Sequence, residues 1–169
     1  MRTLHLLRHA KSSWDDAGLE DQDRPLAPRG ERAATLVGVY LAQERVVPDL
    51  VLCSSARRAV DTWQRVAAQL PRAPRVRRED SLYAASAQAL LERLRRVDDD
   101  SVSNLVLVGH EPGLGELGRR LAAADADAAR RLARFPTTAL ATFAVAGAWS
   151  DLGRCDVSLT RFVRPSDLV

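Results

Sequence analysis

Basic and imidazole side chains directly follow three apolar segments of the chain, in a pattern suited to binding and transferring an anionic group. RHAKS follows the first segment, SSARRAVDT the second and GHEPG the third. Arg8, His9 and Lys11 gather three potentially cationic side chains ahead of the first acidic residue, Asp15. Like charges at the end of a buried strand repel one another and destabilise the fold unless an anion joins them. We therefore predict an anion-binding site at this position.

Two of the three histidines occupy comparable positions, because His9 and His110 each come directly after an apolar run, at a turn. His5 lies inside the first run, where we expect a hydrogen-bonded histidine of the sheet. Each motif alone also has a structural explanation. Arg57 and Arg58 suit the solvated first turn of a helix, and Gly-His suits a plain turn. Their joint placement after three successive strands favours a functional site.

The elements that must position these residues alternate between strands and helices along the chain. Apolar residues at helical spacing indicate the helices, and short Val/Leu runs indicate the strands. The pattern predicts strands at 3–7, 49–53, 75–77, 104–108, 138–145 and 156–163, and helices at 29–45, 56–70, 86–97 and 114–123.

Continuous apolar strands separated by helices are typical of a largely parallel sheet that is covered on both faces. We therefore predict an α/β protein, a three-layer α/β/α sandwich, and the length of 169 residues suits one domain spanning 1–169. Ligands of such sheets bind at the carboxyl ends of the strands. The three motifs stand at those ends.

Composition narrows the possible location and cofactors. With 46% hydrophobic and 28% charged residues, and no apolar run long enough to cross a bilayer, we expect a cytoplasmic protein without signal peptide or membrane association. Cys53 and Cys155 are too few for a disulfide framework and lack metal-type spacing. We expect both to be small core or strand-end residues.

Arginine abundance says little about partners. All of the 25 basic residues except Lys11 are arginine, and the net charge is only +3. The densest basic run, RAPRVRR at 72–78, has no interleaved aromatic residues and connects a helix to a strand. We expect this run to be solvated, and we predict no nucleic-acid binding.

The three motifs together resemble the histidine phosphatase superfamily, which has the phosphoglycerate mutase-like fold. LLRHAKSSW matches its N-terminal Arg-His motif, SSARRAVDT its Ser-Ser…Arg-Ala-x-x-Thr motif and LVGHEP its Gly-His motif. The short length, together with RHAKS followed by DRPLAPRG, is most similar to the SixA-type phosphohistidine phosphatases. The resemblance implies a mostly parallel six-stranded sheet in which the strands before His9 and His110 are neighbours.

Carried over by motif, the resemblance implies that His9 is the nucleophile and that Arg8, Arg58 and His110 complete a phosphate pocket. Arg58 is preferred to Arg57 because the family arginine directly precedes Ala-x-x-Thr. Arg57 should then face solvent.

The chemistry agrees with these roles. A neutral imidazole can attack phosphorus if its other nitrogen is held as a donor, while forked guanidinium groups hold the phosphoryl oxygens. A bound dianion should favour the protonated form of His110. No metal or cofactor is required.

Two further basic residues are weaker candidates for substrate contact. Lys11 directly follows the first motif, although a solvated loop lysine explains it equally well. Arg24, in the long loop before the first helix, could reach the pocket rim, but Asp21 and Asp23 offer it ordinary local partners.

The general acid of the wider family has no secure equivalent. Many members carry a glutamate after the third strand, and Ser81 occupies the matching position here. Asp80 and the loop residue Asp15 remain candidate proton donors. An alkoxide leaving group gains about 10²- to 10⁴-fold from a positioned donor, whereas imidazole needs it less. The departure favours phosphohistidine or an activated ester as substrate.

A second departure is the shortness of the chain between the second and third motifs, which leaves no room for a long lid. An open groove would admit a phosphorylated side chain of another protein. We therefore predict a metal-independent phosphatase with a phosphohistidine enzyme intermediate, acting on a phosphohistidine-bearing signalling protein. A phosphatase of a small metabolite or nucleotide, and a non-catalytic phosphate-binding module, are the alternatives.

Overall fold

The computed structural model describes residues 1–98 and 100–169, which form one six-stranded sheet with helices on both faces. The strands are β1 (Arg2–Arg8), β2 (Leu50–Ser54), β3 (Arg75–Glu79), β4 (Asn104–Gly109), β5 (Leu140–Val145) and β6 (Val157–Val163). The helices are α1 (Pro28–Gln43), α2 (Arg57–Ala67), α3 (Ala87–Arg95), α4 (Gly113–Leu121) and α5 (Ala126–Arg131).

The sheet order β3-β2-β4-β1-β5-β6 brings the carboxyl ends of β1, β2 and β4 to one edge. β1 and β4 pair in parallel with Arg8 opposite Gly109, and β4 pairs in parallel with β2. The last two strands, β5 and β6, run antiparallel to their neighbours. The predicted three-layer, mostly parallel α/β sheet is confirmed, and β1 and β4 are indeed neighbours.

Two apolar cores hold the helices to the sheet. Leu4 and Leu6 of β1 point to the core beneath α3, α4 and α5, whereas Leu7 points to the core beneath α1 and α2. These side chains are fully buried, and burial of a leucine side chain contributes about 1.5–3 kcal/mol. Because successive strand residues face opposite layers, a strand covered on both sides carries apolar residues on both faces, which explains why Leu4, Leu6 and Leu7 do not alternate with exposed polar residues.

Several element ends differ from the predictions by a few residues. α1 ends at Gln43, not near 45, where Arg45 adopts a positive φ of 57°. β5 begins at Leu140, not 138, because Thr138 has a φ of 64° and its backbone N–H bonds to the carbonyls of Arg8 and His9. The short helix α5 is missing from the predictions, since its six residues carry too little apolar periodicity.

The residues expected to be structural have structural environments. Nδ1 of His5 lies 2.9 Å from Thr142 Oγ1 and Nε2 lies 3.1 Å from Asn104 Oδ1, so this buried histidine is satisfied within the sheet. Cys53 is buried and Cys155 half-buried, and both are free thiols. No helix in the described ranges has the length and apolar character that a membrane span requires.

Candidate active site

His9 lies just beyond β1, where its imidazole is buried and held as a neutral ring. Nδ1 donates a hydrogen bond to the Ala10 carbonyl at 2.8 Å, which leaves the lone pair on Nε2. Burial lowers the pKa of His9 to about 3, and the charges of His110, Arg58 and Arg8 act in the same direction. A neutral imidazole with a free Nε2 lone pair is the form that attacks phosphorus.

The turn after His9 is fixed by α2. The Ala10 backbone N–H donates to Thr62 Oγ1 at 2.8 Å, and the Thr62 hydroxyl donates to the Arg58 carbonyl at 2.6 Å. The His9 N–H donates to the Gly109 carbonyl of β4 at 3.1 Å. The ring is therefore positioned by two neighbouring elements.

His110 lies just beyond β4, with its ring centroid 5.1 Å from that of His9. Its Nε2 is 2.7 Å from Ser54 Oγ, at the end of β2. Burial, followed by the charge of Arg58, lowers the pKa of His110 to about 4. If the Ser54 hydroxyl donates to Nε2, the neutral ring carries its proton on Nδ1 and presents a donor there. A bound dianion would favour the imidazolium, which is a donor at both nitrogens.

Arg58, in the first turn of α2, is buried and clamped by Asp21. Nη1 donates to the Asp21 carbonyl at 2.8 Å and Nη2 to its carboxylate Oδ2 at 3.0 Å. Arg57 is exposed and pairs at 3.4 Å with Asp61, one turn further along the helix. Arg57 faces solvent as expected, because Arg58 is the member of the pair on the buried side of α2.

Arg8 ends β1 and is fixed by the chain before β5. Its Nη1 donates to the Phe135 carbonyl at 2.9 Å, and burial lowers its pKa while the neighbouring Glu111 carboxylate opposes that shift. Glu111 is half-buried and accepts a hydrogen bond from the Gly115 N–H in α4. Burial raises the pKa of Glu111.

Three buried nitrogens of these residues have no hydrogen-bond partner within the described part of the chain: Arg8 Nε, Arg58 Nε and His110 Nδ1. Each buried donor left unsatisfied costs about 1–3 kcal/mol, so native proteins rarely retain several together. A phosphoryl group, with several strong acceptor oxygens, can satisfy all three. The two arginines also supply the fixed positive charge that phosphoryl transfer requires.

The structure does not bring Lys11 and Arg24 into contact with the histidines. Arg24 is buried in the loop wall, where it donates to Ser12 Oγ at 2.6 Å and pairs with Asp21 at 3.0 Å. The carbonyl of Lys11 accepts from the Ala27 N–H at 2.9 Å, and the half-buried side chain makes no described polar contact. Arg24 therefore has the local partner that the sequence offered it.

The two candidate proton donors also lie apart from the four central residues. Asp15 is exposed in the loop after β1, and its backbone N–H donates to Ser13 Oγ at 3.1 Å. Asp80 begins an exposed turn after β3. In the described ranges neither carboxyl group forms a hydrogen bond or ion pair with His9 or His110.

Sequence reasoning missed Asp21 and Tyr83 as site residues. The Asp21 carboxylate pairs with both Arg58 and Arg24 and accepts from the Tyr83 hydroxyl. These partners, Tyr83 first, lower the pKa of Asp21 to about 2, so it stays ionised. The Tyr83 ring stands perpendicular to that of His110, with centroids 5.5 Å apart. Asp21 lies in a loop without periodicity, and Tyr83 lies two residues after Ser81, the position that matches the family glutamate.

No group of three or more His, Cys, Asp or Glu residues within 1–98 and 100–169 is arranged to hold a metal ion. Two carboxylates of the site have other partners: Asp21 pairs with Arg58 and Arg24, and Glu111 accepts from the Gly115 N–H of α4. Within the described ranges, the guanidinium groups of Arg8 and Arg58 supply fixed positive charge at the site.

Comparison with known sequences points to one family. Residues 4–83 match the model of the histidine phosphatase superfamily (branch 1). An uncharacterised protein of Mycobacterium tuberculosis is 41% identical over 150 residues, covering 86% of this chain and 91% of that protein. A 2,3-bisphosphoglycerate-dependent phosphoglycerate mutase of Thermobifida fusca is 42% identical over only 64 residues, which is 37% of this chain and 26% of the mutase.

Solved structures extend the similarity to the whole chain. A SixA from Nakamurella multipartitia, provisionally described as a phosphohistidine phosphatase, superposes with a TM-score of 0.86 and 32% identity, covering 97% of this chain and 96% of that one. The protein histidine phosphatase SixA in complex with tungstate has a TM-score of 0.82 at 21% identity, over 99% of both chains. The fold is thus shared over nearly the full length.

Proposed function

Because the chain belongs to the histidine phosphatase superfamily and is of the SixA type, we propose that this phosphatase works without a metal through a phosphohistidine intermediate on His9, with phosphohistidine of a partner protein as its substrate. The observation that carries the mechanism is the neutral His9 ring beside three unsatisfied buried nitrogens, on Arg8, Arg58 and His110. Together they provide a nucleophile and a site for the oxygens of the group that it attacks.

In the first step, Nε2 of His9 attacks phosphorus in line with the bond to the leaving group. The new N–P bond forms from the Nε2 lone pair, and the electron pair of the old bond leaves with the departing group. The ring becomes cationic, and the Ala10 carbonyl, which accepts from Nδ1 at 2.8 Å, stabilises that charge. Arg8, Arg58 and His110 hold the three equatorial oxygens, on which the negative charge is spread.

In the second step, water attacks the phosphorus of phosphohistidine-9. The N–P bond breaks and its electron pair returns to Nε2. One proton of the water passes to a phosphoryl oxygen, so the product leaves as dihydrogen phosphate. The ring is then neutral again and ready for another cycle. Two successive in-line displacements retain the configuration at phosphorus overall, which gives the mechanism a stereochemical signature.

The substrate preference rests on the leaving group. A phosphohistidine side chain that is protonated at its second ring nitrogen departs as neutral imidazole. This leaving group bears the electron pair better than an alkoxide and depends less on a positioned acid. Among the described residues, Asp15 and Asp80 are exposed and form no hydrogen bond or ion pair with His9 or His110, and Asp21 is held ionised by its partners. A leaving group that needs little protonation therefore suits this site.

A substrate panel tests the proposal. The purified protein is offered a phosphohistidine-bearing protein, an aryl phosphate and several sugar phosphates and nucleotides, and released phosphate is measured. We expect rapid turnover of the first two and slow turnover of the others. A sugar phosphate or nucleotide that equals phosphohistidine in kcat/KM would instead identify a metabolite phosphatase, and tight phosphate binding without turnover would identify a binding module.

A further inference from the structure

We propose that Tyr83 and Trp14 form an aromatic rim that binds the group carrying the phosphate and selects flat, aromatic carriers. This inference rests on the proposed function only in placing the phosphoryl group between His9, Arg8, Arg58 and His110. It adds a subsite for the carrier itself, whose chemical class is an imidazole or phenyl ring.

Tyr83 forms the inner part of the rim because it touches the groups that hold phosphate. Its ring is perpendicular to His110 at a centroid distance of 5.5 Å, and the Arg58 guanidinium carbon lies 5.8 Å from the ring centroid. Its hydroxyl donates to the Asp21 carboxylate. We therefore place the carrier of a phosphate held between His110 and Arg58 beside this ring.

Trp14 forms the outer part of the rim, and its indole is exposed to solvent. Its side chain is 69% exposed, yet the Arg24 guanidinium carbon lies 3.6 Å from the ring centroid and covers one face. Arg24 is itself buried and fixed by Ser12 and Asp21. The indole is thus held from one side by a fixed cation, and its 69% exposure makes it accessible to an aromatic ligand.

One network connects both rings to the phosphate-binding arginine. The Asp21 carboxylate accepts a hydrogen bond from Tyr83 and pairs with both Arg24 and Arg58. The Arg24 guanidinium in turn stacks on the Trp14 ring. The rim is therefore ordered by the same carboxylate that orders Arg58, and its two rings need little rearrangement on binding. Preorganised aromatic faces gain affinity because few rotamers are frozen when the ligand arrives.

The selectivity expected from such a rim is modest and measurable. Aromatic pairs contribute about 0.5–1.5 kcal/mol beyond area burial, which corresponds to about a 2-fold to 12-fold difference in affinity. An aromatic carrier should therefore bind several-fold more tightly than a saturated carrier of equal size. Because this preference concerns binding, it should appear in inhibition constants without any leaving group.

Benzylphosphonate and cyclohexylmethylphosphonate separate ring stacking from leaving-group chemistry, since neither can be hydrolysed. Their inhibition constants are measured against hydrolysis of an aryl phosphate by the wild type, Trp14→Leu, Tyr83→Leu and Tyr83→Phe. We expect the wild type to prefer benzylphosphonate, each Leu variant to lose part of that preference, and Tyr83→Phe to retain it. Leu19→Ala, in the same loop and 37% exposed, is the matched control and should behave as the wild type.

A direct binding readout keeps the test independent of turnover. Trp14 is exposed, whereas Trp63 and Trp149 are buried, so benzylphosphonate should change tryptophan fluorescence more than inorganic phosphate does, and Trp14→Phe should abolish the difference. Equal inhibition constants for the two phosphonates in the wild type, or fluorescence that does not distinguish benzylphosphonate from phosphate, would overturn the rim. Aromatic binding without hydrolysis of any phosphate would support the rim and contradict the proposed function.

Discussion

Replacing Arg58 by alanine should weaken oxyanion binding far more than replacing its neighbour Arg57. Arg58 is buried at the site, and its Nε has no hydrogen-bond partner among the described residues, whereas Arg57 is exposed and pairs with Asp61. The two variants remove the same side chain from adjacent positions of one helix. The comparison therefore tests the position and not the residue type.

The magnitudes follow from these environments. A hydrogen bond to a charged group contributes about 1.5–3 kcal/mol, so loss of one such bond from Arg58 should weaken vanadate binding about 10-fold to 150-fold. An exposed i,i+4 ion pair such as Arg57–Asp61 contributes about 0.3–0.5 kcal/mol to stability and nothing to the site. We expect Arg57→Ala to change vanadate affinity by less than about twofold.

Vanadate inhibition and kcat/KM for an aryl phosphate are the appropriate measurements, with thermal unfolding of each variant as the control for folding. Arg58→Ala should remain folded. The Asp21 carboxylate, which loses its ion pair with Arg58, is 47% exposed and keeps Arg24 and Tyr83 as partners. Equal losses in the two variants would refute the assignment, and a larger loss in Arg57→Ala would place the functional arginine one residue earlier.

Three other predictions concern leaving groups, metal and pH. Across a series of esters, kcat/KM should fall steeply as the leaving group becomes more basic. Asp15→Asn and Asp80→Asn should leave the slope of kcat/KM against leaving-group basicity unchanged. A flat series in the wild type, or a steeper slope in either variant, would reveal a positioned acid. Exhaustive dialysis against EDTA should not reduce activity, and a loss restored by metal would identify a metallophosphatase. In the folded protein the pKa values of His5, His9 and His110 are about 4, 3 and 4, below the ordinary value of 6.5. Between pH 6.5 and pH 4 the unfolded chain therefore binds more protons than the folded protein. The stability measured by urea unfolding should consequently fall as the pH drops from 6.5 towards 4. A urea midpoint that does not change across this interval would contradict the neutral, buried histidines.

The sheet could be predicted well because its strands are covered on both faces. Leu4, Leu6 and Leu7 must all be apolar when both cores use β1, and in the sequence they form an apolar segment interrupted by His5. The polar residues that end such runs lie at the carboxyl edge, so His9 and His110 could be selected by position. Their proximity required knowledge of strand order, which came from the family resemblance and is now seen in the pairing of β1 with β4.

The loop residues could not be predicted because their positions depend on long-range contacts. Asp21 is separated by 37 residues from Arg58 and by 62 from Tyr83, and nothing in the local sequence relates them. Arg24 was correctly given a local partner in Asp21, but that carboxylate also serves Arg58. Side-chain networks of this kind arise from how loops cross the sheet edge, which periodicity does not describe.

The most direct test of the mechanism is the capture of phosphohistidine-9 during turnover. The wild type and His9→Ala are mixed with labelled aryl phosphate, quenched within the first turnover, digested and mapped for acid-labile, base-stable phosphate. We expect one phosphoryl group on the wild type, located on His9, which appears before phosphate is released and disappears when substrate is exhausted. The folded His9→Ala variant should show neither label nor turnover. Undiminished hydrolysis by His9→Ala, or inversion at phosphorus by the wild type with a chirally labelled ester, would contradict the intermediate.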